Sequence, residues 1–245
     1  YLKWADEDLH LHDSKVKSID QMSLTDELLE LFEEVKDWHG DAKWCQETGV
    51  PHQFGIKLEG DPGTGKTVLV RAIAEDLDLP IYVYHLTTLM DDELQRSWRN
   101  MLSCTPCIAL FEDMDGVFHG REPQGKTALS FDTVLNVLSG VDRCNGLLVC
   151  MTTNKPDVLD SALTRKGRID RTVRMPKLTV EGRRKMAARI LQAFPYEQDA
   201  VIGVGGGDMT GAEFQDLCIA RARALRRAAK GFRPSERVEE VLASG

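Results

Sequence analysis

The chain has 245 residues, which is enough for one large domain or for a medium domain with a small one. Hydrophobic residues make up 42% of it and charged residues 29%, as is ordinary for a globular protein. No apolar run approaches the ~18 residues that a membrane span requires, so we expect no integral membrane segment in these residues. The net charge of −8 argues against non-specific attraction to nucleic acid or anionic lipid.

The six cysteines have no regular spacing, and most lie beside apolar residues. This pattern predicts buried free thiols in a reducing, intracellular compartment. Cys104 and Cys107 form a CxxC pair, but no second pair or histidine pair completes a zinc site. We therefore expect no zinc centre.

The predicted elements divide the chain into three parts. Residues 1–18 are polar and poor in core-forming side chains, so we interpret them as an N-terminal segment or linker. Residues 19–176 alternate short apolar runs with helical patterns, which predicts a parallel sheet covered by helices on both faces. The five predicted strands are 54–59, 81–86, 107–113, 146–154 and 172–175. Residues 177–245 contain helical patterns alone, which predicts a small all-helical domain.

Within these parts, several helix starts can be placed. A helix from about Ser23 is expected to present Leu28, Leu29, Phe32, Val35 and Trp38 on one side. Thr179 is a candidate N-cap, and Thr210 with Glu213 forms a capping box that opens the last helix.

The segment GDPGTGKT, residues 60–67, carries the strongest functional signal. It matches the pattern G-x-x-x-x-G-K-[ST], with an apolar strand directly before it and a helix directly after it. Glycines let the backbone wrap closely around a phosphate, and backbone N–H groups at the helix start bind its charge. Lys66 is expected to reach the β- and γ-phosphates, and the Thr67 hydroxyl to ligate magnesium. The segment predicts a nucleoside triphosphate site.

A second signal is IALFEDMD, residues 108–115, an apolar strand that ends in acidic residues. Such carboxylates beside the phosphate loop can hold the water shell of magnesium and polarise an attacking water. Neighbouring residues of a strand point to opposite faces, so Glu112 and Asp113 are not expected to do the same job. We assign Glu112 to magnesium, partly through water, and Asp113 to water activation.

The third signal is TTNKPDVLDSALTRKGRID, residues 152–170. Asn154 ends a buried strand, where a neutral amide can orient the attacking water. Arg165 and Arg168 follow on a polar turn. These guanidinium groups either pair with surface acids or stabilise the charge that develops during phosphoryl transfer. In an assembly, the group that does so can come from a neighbouring subunit.

Together these motifs resemble the AAA family of ATPases over residues 19–230. GDPGTGKT is similar to Walker A, IALFEDMD to Walker B, and residues 152–170 to the second region of homology. The resemblance implies a P-loop NTPase core, an AAA+ α/β domain with a five-stranded parallel sheet, followed by a helical lid. It implies ATP and Mg²⁺ as ligands and a homo-oligomeric ring of six or seven subunits.

The resemblance also implies roles for single residues. Asn154 would be sensor 1, and Arg165 and Arg168 would be arginine fingers that act on the ATP of the adjacent subunit. Met22 and Leu24 would pack the adenine, and the lid helix would bring Gly211 and Ala212 near the nucleotide. The phosphate loop would bind through Asp61, Pro62, Gly63, Thr64, Gly65, Lys66, Thr67 and Val68.

A narrower resemblance points to the Bcs-type branch of the family. It is carried by AKWCQETGVPHQFGIKLEGDPGTGKT, by KTALSFDTVLNVLSGVD, and by the order Glu112-Asp113, where the family usually has Asp-Glu. The branch implies remodelling or translocation of a protein client, on the matrix side of a mitochondrial membrane if an anchor lies upstream. The loop after the second predicted strand, HLTTLMDDEL, lacks the aromatic–apolar–glycine tripeptide that peptide-threading rings place in their pore, so threading of unfolded chains is disfavoured. Phe118, His119 and Arg121 either face a pore or belong to an ordinary surface loop.

Two other functions stay open on the sequence. A nucleic-acid-handling ATPase is disfavoured because the charge is negative and no basic stripe is interleaved with aromatic residues. A nucleotide-gated scaffold with slow hydrolysis would carry the same motifs.

Overall fold

The computed structural model describes residues 2–4, 19, 22, 24–123, 129–139, 145–204 and 208–229. The chain forms two compact units. The first comprises residues 1–20, 24–61 and 66–175, and the second residues 21–23, 62–65 and 176–245.

The first unit is built on a parallel sheet. In chain order the described strands are β1 (Leu2–Trp4), β2 (His52–Glu59), β3 (Ile81–Tyr84), β4 (Cys107–Phe111), β5 (Phe118–His119), β6 (Glu122–Pro123), β7 (Asn145–Thr153) and β8 (Arg171–Arg174). Six of them form one sheet in the order β1-β3-β4-β7-β2-β8, and β5 and β6 form a small antiparallel pair. The predicted five-stranded parallel sheet is confirmed, and β1 adds a sixth strand beside β3, within the segment interpreted as a linker.

Helices surround this sheet. They are α1 (Asp26–Gly40), α2 (Ala42–Thr48), α3 (Lys66–Asp76), α4 (Asp91–Leu102) and α5 (Phe131–Ser139). All five residues of β4 are buried, as expected for a strand covered on both faces. The rings of Tyr84 in β3 and Phe111 in β4 stack with their centroids 5.1 Å apart. The ring centroid of Trp98 in α4 lies 5.8 Å from each of them. Aromatic burial of this kind anchors α4 to the sheet.

The first helix differs slightly from its prediction. It begins at Asp26 with Thr25 as N-cap, and Ser23 lies outside the described residues. Leu29 was expected on the buried side, but it is exposed, and Leu31 is buried instead. The other four residues of the predicted stripe are buried as expected.

The strand register places the ends of three neighbouring strands together. β7 lies between β4 and β2, with Met151 opposite Phe111 and Thr153 opposite Glu59. Residues that directly follow these strands therefore meet at one edge of the sheet. They include Gly60, Glu112 and Asn154.

The second unit contains helices α6 (Val180–Ile190), α7 (Gln198–Ile202) and α8 (Gly211–Ala229) among its described residues. Its apolar core consists of Ala187, Leu191, Val201, Phe214, Cys218 and Ala222. Thr179 accepts a hydrogen bond from Gly182 N at 3.0 Å, and Thr210 and Glu213 bond reciprocally, so both predicted caps are confirmed.

Two sequence expectations can be checked against the whole described chain. The described cysteines are thiols outside any disulfide: Cys45, Cys107, Cys150 and Cys218 are buried and Cys104 is exposed, whereas Cys144 lies outside the described residues. Over the residues that the structure describes, none of the helices combines the length and the apolarity needed to cross a membrane.

Candidate active site

The loop between β2 and α3 is shaped by glycine. Gly63 and Gly65 have φ angles of 79° and 98°, which side-chain-bearing residues rarely adopt. This conformation turns the chain sharply before α3 begins at Lys66. Along the loop, Asp61, Pro62, Gly63 and Val68 are exposed, and Thr64 and Gly65 are half-buried.

Lys66 is the residue around which the site of the first unit is organised. Its side chain is only 7% exposed. Its ammonium group donates to the carbonyl oxygens of Gly60 at 2.8 Å and Asp61 at 3.0 Å, and to Asn154 Oδ1 at 2.7 Å. The three acceptors hold the charged end of the side chain at the beginning of the loop.

The charge of Lys66 is set by opposing effects. Burial lowers the pKa of Lys66 below its ordinary value of 10.5, and the carboxylates of Asp113, Asp115 and Asp61 act in the other direction.

Thr67 and Glu112 form the second contact of the site. Thr67 Oγ1 donates to Glu112 Oε1 at 2.7 Å, which brings a hydroxyl and a carboxylate together at the start of α3. Magnesium prefers such oxygen ligands, and it usually keeps several waters and binds one or two protein groups together with substrate phosphates. These two residues fit the role expected of them. In the described part of the chain no group of three or more His, Cys, Asp or Glu side chains could hold a metal by itself.

Asp113 occupies an unusual backbone conformation. Its φ and ψ angles are 49° and 51°, in the left-handed region, which costs a non-glycine residue about 1–3 kcal/mol. Its N–H donates to Thr152 Oγ1 at 3.1 Å, and its carboxylate accepts from Asn154 Nδ2 at 3.2 Å. The exposed carboxylate of Asp113 and the carboxylate of Glu112 therefore have different partners, although the two residues are adjacent in sequence.

Asn154 joins these groups into one network. Its side-chain oxygen accepts from Lys66, and its amide nitrogen donates to Asp113. The structure thus brings together five predicted residues of the first unit. These are Lys66, Thr67, Glu112, Asp113 and Asn154.

The sequence reasoning gave no role to Asp115, Thr152 or Thr153. Asp115 Oδ1 accepts from Thr153 Oγ1 and from Asn154 N, both at 2.8 Å. The available signal was a third acid, four positions after the last residue of β4 and two positions after Asp113. The partner of that acid could not be inferred from the spacing alone.

The remaining predicted binding residues are placed as follows. Within the second unit, Gly63 O accepts from Ala212 N at 3.0 Å, and a Cβ on Gly63 would lie 3.0 Å from Ala212 Cβ. Gly211 is the first residue of α8. Met22 is half-buried, and its carbonyl oxygen accepts from Lys185 at 3.4 Å. Leu24, in the first unit, is also half-buried.

The two arginines of the turn before β8 differ in their surroundings. The Arg168 guanidinium donates to Ser139 Oγ, at 2.7 Å through Nε, and to the carbonyl oxygen of Ala162 at 2.5 Å. Arg165 is exposed. Its positive charge helps to lower the pKa of Asp160, after the larger effects of hydrogen bonds from Ala162 N and Arg121.

Comparison with known proteins identifies a family that covers these residues. The family model described as "ATPase family associated with various cellular activities (AAA)" matches residues 56–177. This chain contains an AAA domain. The matched range holds the whole network around Lys66 and also both arginines, so the predicted resemblance is confirmed.

Several curated proteins are similar to the AAA chain. A probable mitochondrial chaperone bcs1 of Schizosaccharomyces pombe is 35% identical over 177 residues, which is 69% of this chain and 38% of that protein. The mitochondrial chaperone BCS1 of Homo sapiens is 35% identical over 162 residues, 61% of this chain and 37% of that protein. A 26S proteasome regulatory subunit S10B homolog of Arabidopsis thaliana is 29% identical over 225 residues, 85% of this chain and 56% of that protein. The chain therefore spans between about two fifths and a little over half the length of these relatives.

Proposed function

We propose that this AAA chain binds ATP with Mg²⁺ and hydrolyses it to ADP and phosphate. One observation carries the proposal: Asn154 bonds Lys66 with its oxygen and Asp113 with its nitrogen. A phosphate-facing cation and a carboxylate base are thereby held in one fixed arrangement. Phosphoryl transfer depends mainly on such positioning and on charge stabilisation.

The reaction would use the side chains in separate roles. The Lys66 ammonium would leave part of its contact with Gly60 and Asp61 and bind the β- and γ-phosphate oxygens. A water would attack the γ-phosphorus, the bond from that phosphorus to the bridging oxygen would break, and ADP would leave. Asp113 would accept the proton of the attacking water, which Asn154 would orient.

Thr67 and Glu112 would hold the magnesium ion, Glu112 partly through water. Mg²⁺ would neutralise the negative charge that accumulates on the phosphate oxygens. Their direct hydrogen bond of 2.7 Å supports this assignment of Glu112, because it reserves that carboxylate for the hydroxyl side of the loop.

Arg165 and Arg168 would have different roles. Arg168 is bonded to its own chain through Ser139 and Ala162, so it would shape the turn. The exposed Arg165 would then be the guanidinium that reaches the ATP of an adjacent subunit, in a homo-oligomeric ring of six or seven copies. An arginine finger of this kind is worth roughly 10³–10⁵ in turnover.

The ring would remodel or translocate a protein client. Two of the similar proteins are named mitochondrial chaperones, and the same Glu-Asp acid order carries the Bcs-type resemblance. ATP at the subunit boundary would couple hydrolysis to movement of the client.

Phosphate release by the full-length protein tests the central proposal. Wild type should hydrolyse ATP in the presence of Mg²⁺, and Lys66→Ala should lower nucleotide affinity and turnover together. Mass measurement with a slowly hydrolysed ATP analogue should show a ring. Absence of Mg²⁺-dependent hydrolysis in an assembled, nucleotide-bound wild type would refute the proposal.

A further inference from the structure

The residue that holds Asn154 in place is Asp115, the last residue of IALFEDMD, to which the sequence assigned no role. β4 ends at Phe111, opposite Met151, whereas β7 continues to Thr153. The backbone ladder between these two strands therefore stops before it reaches Asn154. At that point a side chain takes over, because Asp115 accepts the N–H of Asn154 at 2.8 Å.

The same oxygen of Asp115 also fixes the residue before Asn154. Thr153, which is fully buried, donates its hydroxyl to Asp115 Oδ1 at 2.8 Å and accepts the N–H of Lys155 at 3.1 Å. The carboxylate is thus connected to the backbone on both sides of Asn154. Hydrogen bonds to a charged acceptor are about twice as strong as neutral ones.

Asp115 is itself held in a short turn. The turn follows β4 and is closed by a hydrogen bond of 2.8 Å from Gly116 N to Asp113 O. The residue proposed to accept the water proton and the residue that holds Asn154 therefore share one turn. A displacement of this turn would move both ends of the Asn154–Asp113 contact.

We infer that Asp115 is a positioning residue for ATP hydrolysis. Its carboxylate fixes the backbone of Asn154, so that the Asn154 amide stays between Lys66 and Asp113. Asp115 would not touch the nucleotide or the water. This inference rests on the proposed function, because the orientation of Asn154 matters only if a water is activated beside Asp113.

Two variants separate the contact from the charge. Asp115→Asn keeps an acceptor oxygen for Asn154 N and Thr153 Oγ1 but removes the negative charge, which also acts on Lys66. Asp115→Ala removes both. In the full-length protein, Asp115→Ala should lower kcat for ATP roughly 10- to 100-fold with KM within about threefold of wild type. Asp115→Asn should retain kcat within about threefold.

A double-mutant cycle tests whether the effect passes through Asn154. Because Asp115 would act on the same side chain, Asp115→Ala combined with Asn154→Ala should be no slower than Asn154→Ala alone. Multiplied losses, a wild-type kcat in Asp115→Ala, or equal losses in both Asp115 variants would each overturn the inference. If Asp115→Ala does not fold, Thr153→Val removes one donor and should give a smaller fall in kcat.

Hydrogen exchange of the Asn154 amide decides the point without hydrolysis. Exchange should be faster in Asp115→Ala than in wild type and should return towards the wild-type rate in Asp115→Asn. If wild type hydrolysed no ATP but showed this pattern, the proposed function would fail and the positioning contact would stand. Equal exchange in Asp115→Ala and wild type would refute the contact itself.

Discussion

The hydroxyl of Thr67 donates to the carboxylate of Glu112 at 2.7 Å. The next residue in the chain, Asp113, contacts Asn154 instead. Two adjacent acids therefore contact two different parts of the site, which supports the proposed assignment of Glu112 to magnesium and of Asp113 to water activation.

We expect Glu112→Gln and Asp113→Asn to have different kinetic effects. Loss of the Glu112 charge should raise the Mg²⁺ concentration needed for half-maximal hydrolysis, because a neutral amide is a poorer ligand for a hard cation. Asp113→Asn should leave nucleotide affinity within about threefold and lower kcat by at least about 100-fold, the range expected for loss of a general base. Fluorescent nucleotide binding and phosphate release measure the two effects.

The outcome that contradicts this division is specific. An Asp113→Asn protein with normal turnover would show that water activation lies elsewhere. Asp92→Asn, which changes an acid of α4 at none of the contacts described for the site, serves as the matched control.

Nucleotide binding should weaken at alkaline pH through Lys66. Burial lowers the pKa of Lys66 below 10.5, so the free protein loses this positive charge at a lower pH than an ordinary lysine would. As the pH is raised, affinity for a fluorescent ADP should therefore start to decrease before pH 10.5 is reached. The reason is that a neutral amine attracts phosphate less strongly than an ammonium group does.

The carboxylate of Asp113 acts to raise the pKa of Lys66. Replacing this carboxylate with a neutral amide should therefore make Lys66 lose its positive charge at a still lower pH. In Asp113→Asn the fall in ADP affinity should begin at a lower pH than in wild type. Circular dichroism over the same range establishes that the protein remains folded. Identical pH profiles of the two proteins would rule out the electrostatic coupling.

Replacing Arg168 should mainly lower the free energy of unfolding, whereas replacing Arg165 should mainly lower ATP turnover. Arg168→Ala removes hydrogen bonds to Ser139 and Ala162, so it should lower the free energy of unfolding by about 1–3 kcal/mol. Arg165→Ala, at an exposed position, should change it by less than about 0.5 kcal/mol. Turnover by the oligomer should nevertheless fall roughly 10³-fold or more in Arg165→Ala.

Ser139→Ala is the matched variant for the Arg168 contact. It should reproduce part of the stability loss of Arg168→Ala without neutralising an arginine. Wild-type hydrolysis by an assembled protein in which both Arg165 and Arg168 are replaced would eliminate the proposed action on a neighbouring subunit.

Gly55 in β2 should tolerate no side chain. A Cβ there would lie 1.9 Å from the carbonyl oxygen of Arg168, and Gly55 also exchanges hydrogen bonds with Asp170, at 2.8 Å in each direction. Gly55→Ala should destabilise the protein by at least about 3 kcal/mol, since backbone must move to admit a methyl group. Denaturant unfolding measures this loss.

Gly40 provides the comparison for Gly55. It is the last residue of α1, and a Cβ there would meet nothing within 4 Å. Gly40→Ala should leave stability unchanged or raise it by up to about 1 kcal/mol. Similar unfolding curves for Gly55→Ala and wild type would contradict the close contact between Gly55 and the backbone of Arg168.

Much of the fold followed from local patterns in the sequence. The sharp turn between β2 and α3 was predictable because glycines directly follow an apolar strand and directly precede a helical pattern. The two caps at Thr179 and Thr210 were predictable because a cap joins residues only three positions apart. Short-range rules of this kind also placed five strands and their helices.

Contacts between distant residues were harder to foresee. The bond from Asn154 to Asp115 requires β7 to lie beside β4, and the strand order is decided by the packing of the whole sheet. Phe118, considered for an exposed pore position, is fully buried and packs at 5.4 Å against the Phe131 ring. Burial of a single aromatic residue in a two-residue strand leaves no periodic signal.

The left-handed backbone of Asp113 bears on the order of the acids in this chain. Aspartate and asparagine enter that region more readily than most other residues, whereas a longer glutamate gains no comparable help from local hydrogen bonds. Exchanging residues 112 and 113 to restore the usual Asp-Glu order would therefore place glutamate where the main chain suits it poorly. The identity of residue 113 and its backbone conformation therefore depend on each other, and exchanging the two acids should disturb the main chain after β4 as well as the side chains.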